Sequence, residues 1–355
     1  MDYSSWRNHG CRLFSFVHKG YQFLTLENNL LKVTVLVDKG ADIYEIIYKP
    51  MDIDFIWKSP NRLREANKYI PTAYNDECTY LDNYYGGFQE LLPAGGPASY
   101  KGCQLGLHGE VSTIPWSYKV IEDTKDLVEV EFECFAVRTP FHIKKRLSLK
   151  HDSLALGFKE WLTNEGEEKL EFLWAQHPSF GSPFLDDCCR LDIPAEEFST
   201  SDFFNSPTAH FEPEFSGKWP KALSKNNELI DLSLMPKAGK PCSDIYYLRG
   251  LKEGWFALTN TRLKLGIGFC FELDVFPYIT YWQACNGNLG YPWYGRTYNI
   301  SVELWNSYTD RIRTAKANGT IRHIAAGETI ATSFKAIVYT GLESVKQISF
   351  DEEVK

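Results

Sequence analysis

The chain has 355 residues, 44% hydrophobic and 24% charged, a composition that supports a large packed core and excludes disorder. Its 38 basic and 46 acidic residues give a formal charge of −8 with no basic block, which excludes the electrostatic footprint of a nucleic-acid binder. No apolar run approaches the ~18 residues of a membrane span, and the start of the chain shows no charged-then-apolar signal pattern. With nine cysteines, an odd number without a C-x-x-C pair, the expectation is a cytoplasmic protein with buried free thiols.

The dominant period along the chain is two. Leu31, Val33, Val35 and Val37 alternate with Lys32, Thr34 and Leu36, and Asp38-Lys39-Gly40 supplies a turn before residues 43–48 resume as a strand. Val128, Val130, Phe132 and Cys134 alternate with Glu129, Glu131 and Glu133, which predicts a strand with one wet face. Further strands are predicted over residues 141–149, 154–162 and 170–174, and then 245–248, 255–259, 263–271, 278–282, 298–304 and 330–340. Only residues 60–68 and 307–316 could hold short helices. Many strands with so little helix predict an all-β sandwich, read as one domain over residues 1–355. Residues 195–241 are rich in Ser, Pro, Asn and Lys, yet Phe203, Phe204, Phe211, Phe215 and Trp219 need burial, so they predict an ordered excursion at the rim.

Chemistry concentrates elsewhere. Gly86-Gly87-Phe88-Gln89-Glu90, the Gly95-Gly96 turn and Leu107-His108-Gly109-Glu110 fit no helix or strand pattern. Trp174-Ala175-Gln176-His177-Pro178 ends a predicted strand; proline should stop it and leave His177 at a sheet edge or mouth. Glu303 lies in the apolar strand sequence Ile300-Ser301-Val302-Glu303-Leu304-Trp305, facing either water or an internal cavity. A carboxyl group and two imidazoles bracket neutral pH, so one can accept a proton while another donates it. His108 and His177 could equally be turn histidines, and the vicinal Cys188-Cys189 pair does not make a metal site.

Taken in order, these segments resemble the aldose 1-epimerase (galactose mutarotase-like) superfamily over nearly the full length. The resemblance rests on the early hairpins with Asp38-Lys39-Gly40-Ala41, the His108 segment with Pro115-Trp116, the His177 segment, Ser243-Asp244-Ile245-Tyr246 and the Glu303 strand. It implies a β-supersandwich with few short helices, a sugar as the small-molecule partner, and no metal or redox cofactor. It implies Glu303 as the base at the anomeric hydroxyl, His177 as the acid at the ring oxygen, and His108 as a hydrogen-bond partner of the developing charge. Asp244, Gln89 and Glu90 would hold hydroxyls, and Trp174 or Trp282 would offer a stacking face. Tyr84-Tyr85 stands where the hexose-6-phosphate branch carries an arginine, so an unphosphorylated aldose or a modified sugar is expected. The alternatives are a sugar-binding protein without turnover, or another isomerase or lyase on the same scaffold, with Glu90 and Glu110 as its acid–base residues. Oligomeric state is not readable from the chain.

Overall fold

A computed structural model describes residues 7–68 and 77–355. The described residues fold into two large antiparallel sheets, one of twelve strands and one of eight, with three two-stranded ribbons. The alternation in the sequence is the cause. Along Leu127–Phe135 the apolar residues Val128, Val130, Phe132 and Cys134 are buried, while the glutamates between them sit part-exposed beside Lys144 and Arg146 of the next strand. The two sheets meet through aromatic side chains. Phe88 and Phe180 of the larger sheet lie 5.5 to 6.5 Å, centroid to centroid, from Phe158, Phe256 and Phe269 of the smaller. Aromatic pairs at this spacing add to the burial of their area. All the predicted strands are present within a few residues of their expected bounds.

The centre of the larger sheet positions the site. Phe88–Leu91, Ala175–Gly181, Tyr298–Trp305, Tyr278–Cys285 and Cys242–Arg249 are consecutive neighbours there. Two expectations need correction. Residues 60–68 hold turns and irregular chain, and the α-helices among the described residues are Cys78–Asn83 and Ile312–Ala317. Pro178 does not stop its strand, and His177 lies mid-sheet. Ala175–Gly181 pairs with Tyr298–Trp305 at residues 175–176 and again at 179–181, and the register is interrupted between them. A proline, which lacks the ladder N–H, fits that interruption.

Residues 195–241 extend the same sheet. Glu197–Thr200 pairs with Cys242–Arg249, Ser216–Lys218 pairs with it in turn, and Phe198, Phe211 and Phe215 pack against one another and Tyr246. Phe203 departs from expectation: it is 38% exposed. Eight cysteines are free and either buried or half-buried; the side chain of Cys78 lies outside the described residues. No described helix is long and apolar enough to cross a membrane.

Candidate active site

A cleft of about 280 Å³ opens over the middle of the larger sheet, close to the small-ligand range of ~300–1,000 Å³. Four neighbouring strands provide its floor through residues of one face: His177, then Glu303 and Trp305, then Thr280 and Trp282, then Ile245. Period-two alternation decides this, since Trp282 pairs with both Ser301 and Ile245, and Thr280 pairs with Glu303. Tyr80, Tyr84, His108, Phe203, Trp293 and the Asp310-Arg311 bend form much of the walls.

His177 and Glu303 are in direct contact, Nε2 to Oε1 at 3.2 Å, and both are nearly buried. Glu303 accepts two further hydrogen bonds, from Ser301 Oγ at Oε1 and from Trp305 Nε1 at Oε2, the latter at 2.8 Å. Such a surround suits an ionised carboxylate, which offers only acceptors. The other ring nitrogen of His177 lies 3.3 Å from Ser179 Oγ, itself 2.8 Å from the Tyr84 hydroxyl. A hydrogen-bonded chain therefore runs from Tyr84 through Ser179 and His177 to Glu303. Burial pushes the Tyr84 and Tyr80 phenols far above their usual range, so both stay protonated.

His108 packs its ring 5.2 Å from that of His177 and 4.4 Å from that of Tyr80. Burial first, and the nearby His177 second, push its pKa well below the usual value, so it is a neutral imidazole at pH 7. Its Nδ1 is enclosed without a partner. The backbone around it is tightly specified. His108 has φ 65° and Gly109 φ 72°, and a Cβ on Gly109 would stand 2.1 Å from the Leu92 carbonyl oxygen. Only glycine fits there.

The structure brings His108, His177, Glu303 and Trp282 together, and keeps the other expected residues out of the cleft. Trp174 is fully buried, donates its indole N–H to Glu90 Oε1 at 2.8 Å and packs on Phe276, so it offers no stacking face. Glu90 points into the core, where Lys145 lies 3.3 Å from its Oε2. Glu110 accepts from the backbone of Val137 and Arg138 and from Thr139 Oγ1, which makes it a loop anchor. Asp244 faces away from Ile245 and accepts from both the backbone N–H and the ring of His210. The residue opposite it in register is Gln283. Gln89 stands behind the wall: it accepts from Tyr80 O–H and donates to Asp42 Oδ2 at 2.9 Å. Sequence reasoning passed over Tyr80, Trp293 and Arg311, and weighed Tyr84 only as a departure from the phosphate-binding branch. Trp293 sits in an aromatic-rich turn that could have drawn notice, while the Asp310-Arg311 bend carries no local signal.

Comparison with known proteins agrees with this architecture. A family model described as a domain of unknown function (DUF4432) matches residues 18–222. A candidate aldose 1-epimerase structure from Klebsiella pneumoniae superposes with a TM-score of 0.70 at 15% identity, covering 93% of this chain and 87% of its own. A galactose mutarotase-like protein from Clostridium acetobutylicum gives 0.64 at 14%, covering 94% and 99%. A galactose mutarotase related enzyme from Lactobacillus acidophilus gives 0.57 at 19%, covering 94% and 100%. At these identities the likeness establishes the fold: this is a galactose mutarotase-like β structure. No curated protein matches the sequence.

Proposed function

This chain belongs to the DUF4432 family of domains of unknown function, and from that premise we propose that it is an aldose 1-epimerase, interconverting the anomers of an aldose or modified sugar. The observation that carries the reading is the His177–Glu303 contact inside a cleft walled by aromatic rings. Glu303 takes the proton from the anomeric hydroxyl as His177 Nε2 gives a proton to the ring oxygen. The bond from the anomeric carbon to the ring oxygen breaks, leaving the open-chain aldehyde. Rotation about the adjacent carbon–carbon bond exposes the other face of the carbonyl. Closure then returns one proton from Glu303 and the other to His177, so the two groups end as they began.

His177 is favoured over His108 as the acid. The neutral, desolvated His108 serves as a hydrogen-bond partner for the oxygen on which charge develops. Trp282, half-buried on the floor of the cleft, is the residue suited to stack on the apolar face of a sugar. Each general acid or base contributes ~10²–10⁴-fold, with positioning adding more.

The test is saturation-transfer NMR on a panel of aldoses and acidic sugars. Exchange between anomers should accelerate for at least one sugar and disappear in Glu303→Gln. Binding without faster exchange across the panel would replace the enzyme reading with a sugar-binding protein. A product differing in more than anomeric configuration would replace the reaction.

A further inference from the structure

We infer that Arg311 makes the cleft selective for an aldose bearing a carboxylate, a sugar acid of the uronate class; this rests on the aldose 1-epimerase reading and narrows its substrate. Arg311 is the one Lys or Arg among the described residues lining the cleft. Its guanidinium lies over the Phe203 ring at 3.6 Å from the centroid. Its Nε is enclosed with no hydrogen-bond partner, and among the described residues no carboxylate lies within ion-pair distance of it, the neighbouring Asp310 acting on it only through space. A half-enclosed cation in that state is costly, because buried charge is ordinarily paired and hydrogen-bonded. The ring beneath the guanidinium covers one face, so an anion would meet the group edge-on, through its N–H donors.

The neighbouring structure holds the arginine there. Gly95 and Gly96 both donate their backbone N–H to the Asp310 carbonyl, at 3.0 and 2.7 Å, and the Arg311 N–H donates to Thr309 Oγ1 at 3.2 Å. Asp310 is engaged elsewhere, its Oδ1 accepting from Tyr247 O–H at 2.8 Å. A Cβ at Gly96 would stand 3.0 Å from Arg311 Cγ and 3.4 Å from Nε, so the absence of a side chain leaves the channel for the arginine stem. The Gly95-Gly96 pair in the sequence thus acquires a purpose: Gly95 makes room for Trp305 and Asp310, and Gly96 lets the arginine stem lie close along the wall.

The chemistry of the anion follows from its single partner. A guanidinium presents a planar fork that matches a carboxylate bidentately. A phosphate monoester carries up to two charges and three strong acceptors, and a cleft with one cationic side chain beside Glu77, Glu303 and Asp310 suits it less well. Uncharged hydroxyls would leave the guanidinium with only the through-space charge of Asp310 to offset it. Glu303 and His177 engage the anomeric end of the sugar, so the carboxylate belongs at the end turned toward the Asp310-Arg311 wall.

The experiment compares D-glucuronate and D-galacturonate with D-glucose and D-galactose, and with glucose 6-phosphate, by anomer-exchange NMR and by titration calorimetry. In the wild-type protein a uronate should exceed its neutral parent by at least ~10-fold in exchange efficiency or affinity, as expected for a charge-assisted pair. The ratio should collapse toward one in Arg311→Leu, recover in part in Arg311→Lys, and fall as salt is raised. Neutral sugars handled as well as uronates, or a ratio unchanged in Arg311→Leu, would overturn the inference while leaving ring opening intact. Arg311-dependent uronate binding without any exchange would do the reverse. Glucose 6-phosphate outperforming both uronates would overturn the carboxylate assignment. Should Arg311→Leu not fold, the wild-type ratio and its salt dependence still decide.

Discussion

Two glutamates stand in neighbouring parts of the same sheet and meet opposite environments. Glu303 faces the cleft, where Ser301, Trp305 and His177 surround its carboxylate. Glu90 faces the core, beside Lys145, Trp174 and a second buried carboxyl, Glu160, which accepts from Gln176. Gln176 and His177 are adjacent in sequence and serve one cluster each. The difference is one step of strand register: side chains alternate, so a shift of a single residue moves a group from solvent-facing chemistry to sealed electrostatics. The cleft-facing group can meet a substrate and exchange protons with it. The core-facing cluster can only set stability and its dependence on pH.

That contrast predicts where each substitution will register. Glu303→Gln should lower anomer exchange ~10²–10⁴-fold while the unfolding midpoint stays close to wild type, since the loss is one of proton transfer; a large fall in the midpoint would move Glu303 into the structural class. Lys145→Met should do the opposite. Lys145 is 3% exposed, and losing it leaves Glu90 buried without its cation, at a cost of about 3–5 kcal/mol in denaturant unfolding.

Glu160 offers a finer test. Burial first, and the charge of Glu90 second, raise its pKa well above the usual carboxylate value. The folded state therefore holds a proton that the unfolded state releases above about pH 4.5, and that contribution to wild-type stability declines as pH rises through the window between the two pKa values, by about 1.4 kcal/mol per pH unit. Glu160→Gln removes this slope, so the variant should gain on wild type as pH is raised from 4.5. Parallel stability curves would refute a protonated Glu160 in the folded core.

The smallest effect is expected at His108. Its pKa is depressed in the folded state, so the unfolded chain takes up the proton first, and stability falls as pH drops below about 6.5. Between pH 6.5 and 5.5 wild type should lose about 1 kcal/mol more than His108→Asn does, read as the difference of two denaturant titrations. An equal loss would place His108 in a wetter environment than its packing against Tyr80 and His177 indicates.

The strands were written in the sequence because burial of alternate side chains leaves a period of two that any reader can count, as along Leu127–Phe135. Family resemblance then pointed to His108, His177 and Glu303, and offered Trp282 as one of two stacking candidates. The rest was decided only by folding. Gln89, Glu90, Trp174 and Asp244 lie in or beside strands of the right segments, yet which face each presents depends on pairing register, and no local pattern records it. Glu90 and Trp174 turned inward to each other, and Asp244 to His210, a residue 34 positions away. Arg311 entered the cleft from a bend whose place is fixed by the backbone of Gly95 and Gly96, more than 200 residues earlier. Alternation is a local property of the chain, so the sequence carries it. Convergence of side chains on one cavity depends on contacts between distant strands and loops, and only the tertiary structure supplies those.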